Sequence, residues 1–188
     1  MMNVKKVVLG VFTTALLLTS SSLTPVLADS TKHVPQTQKQ TIDMQTTKAI
    51  QNVMQLAKQG KLPNVPFQIG TPKSTIIKQW GMPKYGAEGA KSNKYSFLDY
   101  TNKKHTSFEA TDKLLRIDLQ DPTLNKRVTL SKLEQVVGKP VAVDGSANTK
   151  YLTYKAGGYT IKFVFDIIKK GEDPKLMTVI LTKANYWK

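Results

Sequence analysis

The sequence predicts an α+β domain, in which a leading helix and two helix-strand-strand-strand repeats form an antiparallel sheet with helices packed on one face. Three observations predict it. A short helix with a built-in stop, Gln68 to Pro83, returns at Thr129 to Pro140: Gly81 and Gly138 lie 57 residues apart, as do Pro83 and Pro140. Each copy runs on into short segments that alternate apolar and polar residues between turn residues, the period-two pattern of half-buried antiparallel strands. A third stretch, from about Thr41, carries apolar residues at three- and four-residue spacing, as a helix with one buried face requires.

Ahead of the domain, Met1 to Lys6 hold two lysines and no acid, Val7 to Leu18 are mostly apolar, and Val26-Leu27-Ala28 forms a small-residue cleavage signal before Asp29. The polar cluster Thr19 to Thr24 arrives too early for the roughly 20 apolar residues of a membrane span. Residues 1–28 therefore read as a cleaved signal peptide, and no cysteine follows to serve lipoprotein attachment. Asp29 to Gln40 is Ser, Thr, Gln, Lys and Pro with almost nothing to bury, so residues 29–40 read as a flexible linker. His33, within it, has no partner that would make it a ligand or a catalyst. Residues 41–188 are then one domain, with repeats at about 67–120 and 128–183.

The leading helix places Ile42, Thr46, Ala49, Ile50, Val53, Met54 and Ala57 on one face and ends at Lys58-Gln59-Gly60. Lys61 to Phe67, with Pro63 and Pro66, is an extended connector. In the first repeat Thr71 is placed to cap a helix, Pro72 to occupy its first position, Gly81 to end it in a left-handed conformation and Pro83 to forbid continuation. Tyr85 to Asn93 is loop, Lys94 to Tyr100 alternates, Thr101 to Lys104 turns and Thr106 to Ala110 runs back. After a turn at Thr111 to Lys113, Leu115, Ile117 and Leu119 face inward opposite Arg116, Asp118 and Gln120. In the second repeat Val141 to Thr149 holds the Asp144-Gly145-Ser146 turn, Tyr151 to Lys155 is a strand, and Ala156-Gly157-Gly158 is a hairpin turn. Tyr159, Ile161, Phe163, Phe165 and Ile167 alternate with polar positions. Gly171 to Pro174 turns, and Met177, Val179 and Leu181 close the sheet. About six strands result, in one continuous sheet or two small ones.

Cleavage leaves 160 of the 188 residues, enough to bury about 70% of the unfolded surface without staples, and the chain has no cysteine. Losing Lys5 and Lys6 takes the basic residues from 28 to 26 against 13 acidic ones, a mature formal charge of +13. Such a chain is drawn to polyanions. Only Arg116 and Arg127 are arginines, which disfavours base readout and bidentate phosphate clamping and so specific nucleic-acid recognition.

Leu56-Ala57-Lys58-Gln59-Gly60-Lys61-Leu62-Pro63, then Pro66-Phe67-Gln68-Ile69-Gly70, then Trp80-Gly81-Met82-Pro83, resemble the YjgB-type family of secreted proteins from bacilli, a family of unknown function. The likeness covers most of the chain after residue 45. The helix-Gly-x-Pro-strands repeat also resembles, more weakly, the tandem fold of β-lactamase inhibitory protein and BamE-type small lipoproteins. Those relatives bind other proteins, which by fold analogy implies a protein-interaction role here. The lipoprotein cysteine of the one and the disulfides expected of the other are missing, so no functional residue carries over.

No cysteine nucleophile, no Gly-x-Ser-x-Gly elbow and no histidine pair at metal spacing appears, so no catalytic, metal or cofactor residues are assigned. His105, the one histidine of the predicted domain, sits at the start of a strand after Lys103-Lys104. Asp99, Glu109, Asp118 and Asp166 are strand-borne and would have to converge to act as glycosidase acids do; scattered among lysines, they read first as ion-pairing surface groups. Asp144 and Asp173 are turn formers. The interaction surface is assigned to Trp80, Lys94, Lys103, Lys104, Lys150, Lys155, Lys162, Tyr186 and Trp187. Within it, a shared core position explains Trp80, where the second repeat has Val137, better than a ligand platform does. Tyr186-Trp187 either docks on the sheet or stays exposed. The function expected is a secreted, non-enzymatic binding module holding an envelope protein on its open sheet face or on the loops Ala87 to Asn93 and Asp144 to Asn148. The alternative is a cationic protein adsorbed to teichoic acid or another wall polyanion, and the third choice is a hydrolase.

Overall fold

The computed structural model describes residues 36–86, 96–167 and 171–186, with side chains throughout except at residues 36–42 and 103. The signal peptide, the linker up to residue 35, the loop Ala87 to Asn93, Lys94 and Trp187 lie outside the described residues, as does the side chain of Lys103. Helix α1 (Gln36–Ala57) begins ahead of the expected Thr41, so the end of the linker is helical. From Gln36 to Gln59 the sequence holds no proline or glycine, and Gln and Lys are good helix formers, so nothing stops the helix there. Its apolar stripe buries Thr46, Ile50, Val53 and Ala57, with Ala49 and Met54 packed beside them.

Then come α2 (Lys73–Trp80), β1 (Ser96–Asp99), α3 (Thr101–Lys104), β2 (Thr106–Ala110) and β3 (Leu114–Leu119). After α4 (Pro122–Arg127) follow α5 (Leu130–Val137), β4 (Ala142–Gly145), β5 (Thr149–Ala156), β6 (Tyr159–Asp166) and β7 (Lys175–Lys183). Several details differ from the sequence reading. Thr71 does not cap α2: Pro72 precedes the helix without a side-chain cap, and the Thr71 hydroxyl instead accepts the Gln68 N–H at 3.1 Å, closing the turn before it. In α5 the expected cap is present, with Thr129 accepting from the Lys132 N–H at 3.4 Å. Thr101 to Lys104 is a helical turn ended by His105 at φ 52°, not a plain turn. The stretch from Ala142 to Gly145 is a strand, and Asp121 and Pro122 open the unforeseen α4, with the Asp121 carboxylate accepting from the N–H groups of Thr123 and Leu124.

The two repeats are built alike in detail. Gly81 (φ 78°, ψ −168°) and Gly138 (φ 89°, ψ −165°) end α2 and α5 in the same conformation, a region open to glycine alone and not the left-handed helical one expected. Each glycine carbonyl accepts a buried tyrosine hydroxyl, from Tyr100 to Gly81 at 2.7 Å and from Tyr154 to Gly138 at 3.1 Å. Tyr100 packs edge-on against Phe108 and Tyr154 against Phe163, both at 5.9 Å between ring centres. Burial pushes both phenols up to about 12, with Glu134 adding to the effect at Tyr154. At the other helix end, Lys73 N–H donates to the Asp112 carbonyl and Leu130 N–H to the Pro174 carbonyl, both at 2.9 Å, tying each helix start to the turn before the last strand of its repeat.

One continuous seven-stranded sheet has the order β1-β2-β3-β7-β6-β5-β4, antiparallel throughout. The helices lie on one side, over a core that includes Leu98, Phe108, Ile117, Leu152, Ile161, Phe163 and Leu181. The last strand of each repeat, β3 in the first and β7 in the second, carries a matching irregularity. Glu109 pairs with Arg116 but Ala110 with Leu114, and Val164 pairs with Thr178 but Phe165 with Leu176. The extra residues, Leu115 and Met177, are thereby turned out of the core positions that strict alternation assigns them, and Leu114 and Leu176 are buried instead.

Candidate functional site

Residues paired across an antiparallel ladder point to the same face, so the register lays out the side of the sheet away from the core. One row there runs Phe97, Glu109, Arg116, Thr182, Thr160, Lys155, and the next runs Asp99, Ser107, Asp118, Ile180, Lys162, Thr153, Ala142. Strand alternation thus puts all four strand carboxylates, Asp99, Glu109, Asp118 and Asp166, on this face, and the first three lie on neighbouring strands. Asp166 stands at the far end of β6, opposite Thr149 and Lys175.

Arg116 organises the centre of this face. Its Nη1 donates to Glu109 Oε1 at 2.8 Å and its Nε to Asp118 Oδ1 at 2.6 Å. The Tyr186 hydroxyl donates to the other Glu109 oxygen, Oε2. One positive charge therefore serves two carboxylates, all largely shielded from water. Burial pushes the Asp118 carboxyl up to about 6, against the pull of the Arg116 hydrogen bond and charge and with help from Glu109. For Arg116, burial works against the charge, but Asp118, Glu109 and Tyr186 outweigh it and hold the guanidinium above its ordinary value. The two directions are compatible, because desolvation of Asp118 outweighs its attraction to Arg116, while Arg116 draws on Glu109 and Tyr186 as well as on Asp118. Chemically, a carboxyl near 6 can exchange a proton around neutral pH. The guanidinium, however, is bonded between Glu109 and Asp118, where paired acids acting on one substrate would need an open gap.

Of the two placements the sequence allows Tyr186, docked or exposed, the structure has it half-buried and docked through its hydroxyl on Glu109. Trp80 packs against Phe67, Tyr100 and Phe108, at 4.9, 5.4 and 5.6 Å, as a core-lining residue, with Lys104 Nζ 5.5 Å from its ring centre. Among the described residues, the predicted lysines lie on both sides of the sheet. Lys155 and Lys162 are diagonal neighbours on the face carrying Arg116, whereas Lys150, opposite Phe165 and Gly145, belongs to the helix side, as does Lys104 over Trp80. Sequence reasoning missed Lys73, which is buried at the start of α2 with its Nζ donating to Ser96 Oγ at 3.2 Å; burial holds its pKa below the ordinary value, and Asp112 opposes that. It also missed Arg116 as a hub, although aligning Thr106 to Ala110 with Leu114 to Leu119 sets Arg116 opposite Glu109. Among the described residues no group of three or more His, Cys, Asp or Glu is placed to hold a metal ion, and no helix is long and apolar enough to cross a membrane.

Residues 50–181 match the family described as Domain of unknown function (DUF4309). No curated protein matches the chain. Among solved structures, it is similar to the crystal structure of a DUF4309 family protein, YjgB, from Bacillus subtilis subsp. subtilis str. 168, with a TM-score of 0.55 and 16% identity over 74% of this chain and 99% of that one. At that identity the likeness is one of fold.

Proposed function

We propose that this chain, which belongs to the DUF4309 family, is a secreted, non-enzymatic binding module that holds a protein partner at the cell envelope. The observation that carries it is the one-sided packing of the helices over a continuous sheet. Among the described residues that packing leaves the second face free of helices; Ser107, Ile180 and Thr182 at its middle are buried, and its two ends offer the contact surface, with Phe97 45% exposed at one end of the central row and Lys155 exposed at the other. An exposed aromatic set among satisfied polar groups is the usual make-up of a protein-binding patch. The ion cluster at its middle supports a rigid platform, since Arg116 ties β2 to β3 and Tyr186 brings the C-terminal turn onto them.

Lys155 and Lys162, adjacent on that face, favour a second reading, adsorption to an anionic wall polymer. The two separate in one experiment: co-sedimentation of residues 29–188 with cell envelopes that are untreated, protease-treated or stripped of teichoic acid, across a salt series. Binding lost with protease and indifferent to salt supports a protein partner. Binding lost with the polymer and with salt supports adsorption and overturns the first reading, because only attraction between exposed charges is screened so steeply. Binding to none of the preparations overturns both.

A further inference from the structure

The two ends of the sheet are finished differently. At β1 the chain covers its own edge: Lys84 N–H donates to the Asp99 carbonyl at 3.0 Å and Asp99 N–H to the Tyr85 carbonyl at 3.3 Å. At the other end β4 pairs with β5 on one side, and among the described residues no strand pairs with its outer side. All four β4 residues are exposed. Val143 pairs with the fully buried Leu152, so its side chain and that of Val141, two residues away, stand on the helix side of the sheet, yet they remain 56% and 58% exposed. Ala142 and Asp144 point to the opposite side, where Lys155 and Lys162 stand behind the Ala142 end.

We propose that the outer edge of β4 takes up an extended segment of a partner protein as an eighth strand. The segment would set apolar residues against Val141 and Val143 on one face and acidic residues toward Lys155 on the other. This rests on the binding function proposed above and names the mode and chemistry of the partner. Main-chain hydrogen bonds along an open edge supply affinity, and alternate side chains supply selectivity. Charge selects the occupant. With 28 basic and 13 acidic residues, two copies of this chain repel one another, whereas an acidic segment is attracted. Asp144 is the one acid on the edge, so the attraction to acidic side chains comes from the Ala142 end and is partly offset beside Asp144. Pro140, just before the strand, keeps the addition short, on the order of four to five residues.

The test titrates a short capped peptide of alternating valine and glutamate into the isotopically labelled chain and follows backbone amide shifts and hydrogen exchange. The expected result is shift changes and slowed exchange at 142–145 and not at 96–99, binding at least about tenfold weaker for an alternating valine-lysine peptide, and loss of binding in Val143→Glu. Val143 is exposed, so that variant should fold, and its unbound spectrum verifies this. Equal binding of both peptides, perturbation elsewhere only, or an unaffected Val143→Glu overturns the proposal. Concentration-dependent broadening at β4 without peptide would instead assign the edge to a second copy and overturn it too. If the Val143→Glu chain binds envelopes as well as the unaltered chain does, the edge proposal falls while the binding function stands. If the unaltered chain binds no envelope preparation, the binding function falls by itself.

Discussion

Replacing Asp118 by asparagine should change how stability depends on pH. In the native protein burial holds the Asp118 carboxyl at about 6, above the ordinary 3.8, against the pull of Arg116, which Asp118 shares with Glu109. Between about pH 4 and pH 6 the unfolded chain has released a proton that the native state still holds. Native stability therefore falls as pH rises through that window, and the penalty is complete above about pH 6. The span from 3.8 to about 6 corresponds to at most about 3 kcal/mol. Asparagine does not titrate, so Asp118→Asn should gain on the unaltered protein by about 2–3 kcal/mol between about pH 4 and about pH 7.5. Urea unfolding followed by circular dichroism, at constant ionic strength and several pH values, measures this gap. Any fixed cost of the substitution, and the titration of groups shared by both proteins, cancels from the trend. A gap that stays flat to within about 0.5 kcal/mol, or that shrinks as pH rises, would show that Arg116 keeps Asp118 ionised and that burial does not outweigh it.

Three further outcomes follow from the packing. Tyr100→Phe and Tyr154→Phe each remove one hydroxyl bond to a helix-ending glycine carbonyl and should each cost about 1 kcal/mol in urea midpoints; because they lie in different repeats, the double variant should cost their sum. Gly86→Ala would set a Cβ 1.8 Å from the Phe97 carbonyl oxygen at a backbone φ of 85°, so the segment covering β1 must lift away, which faster hydrogen exchange at Lys84 and Asp99 would reveal. Leu133→Ala empties a fully buried position in α5 and should cost about 2–5 kcal/mol by calorimetry or urea unfolding, whereas the same change at exposed Met82 should cost under about 0.5 kcal/mol.

Much of this architecture could be read from the chain because the repeat announces itself through glycine. Gly81 and Gly138 hold a backbone conformation that other residues avoid, so their spacing marks equivalent positions directly. The strands around Phe108 and Phe163 followed from plain alternation, and the residues from Leu56 to Pro83 pointed to the family that residues 50–181 match. What failed was finer. A β-bulge leaves the composition of a strand unchanged and only shifts its phase, so Leu115 and Met177 read as core although Leu114 and Leu176 are the ones buried. β4 was missed because Asp144-Gly145-Ser146 is good turn sequence, and only pairing with β5 makes Ala142 to Gly145 extended. The site was half legible: the face of the strand carboxylates was readable, but Tyr186 reaching Glu109 across 77 residues of sequence depends on the finished fold.

The order of the strands also bears on how the chain comes together. Every pairing in the sheet joins strands that follow one another along the chain, except β3 with β7. Two meanders can therefore form by closing short loops, and a single long closure, setting Ile117 against Leu181, joins them. That one seam carries the cooperativity between the halves: either meander can pair its strands without the other, but neither acquires the full core until the seam is shut.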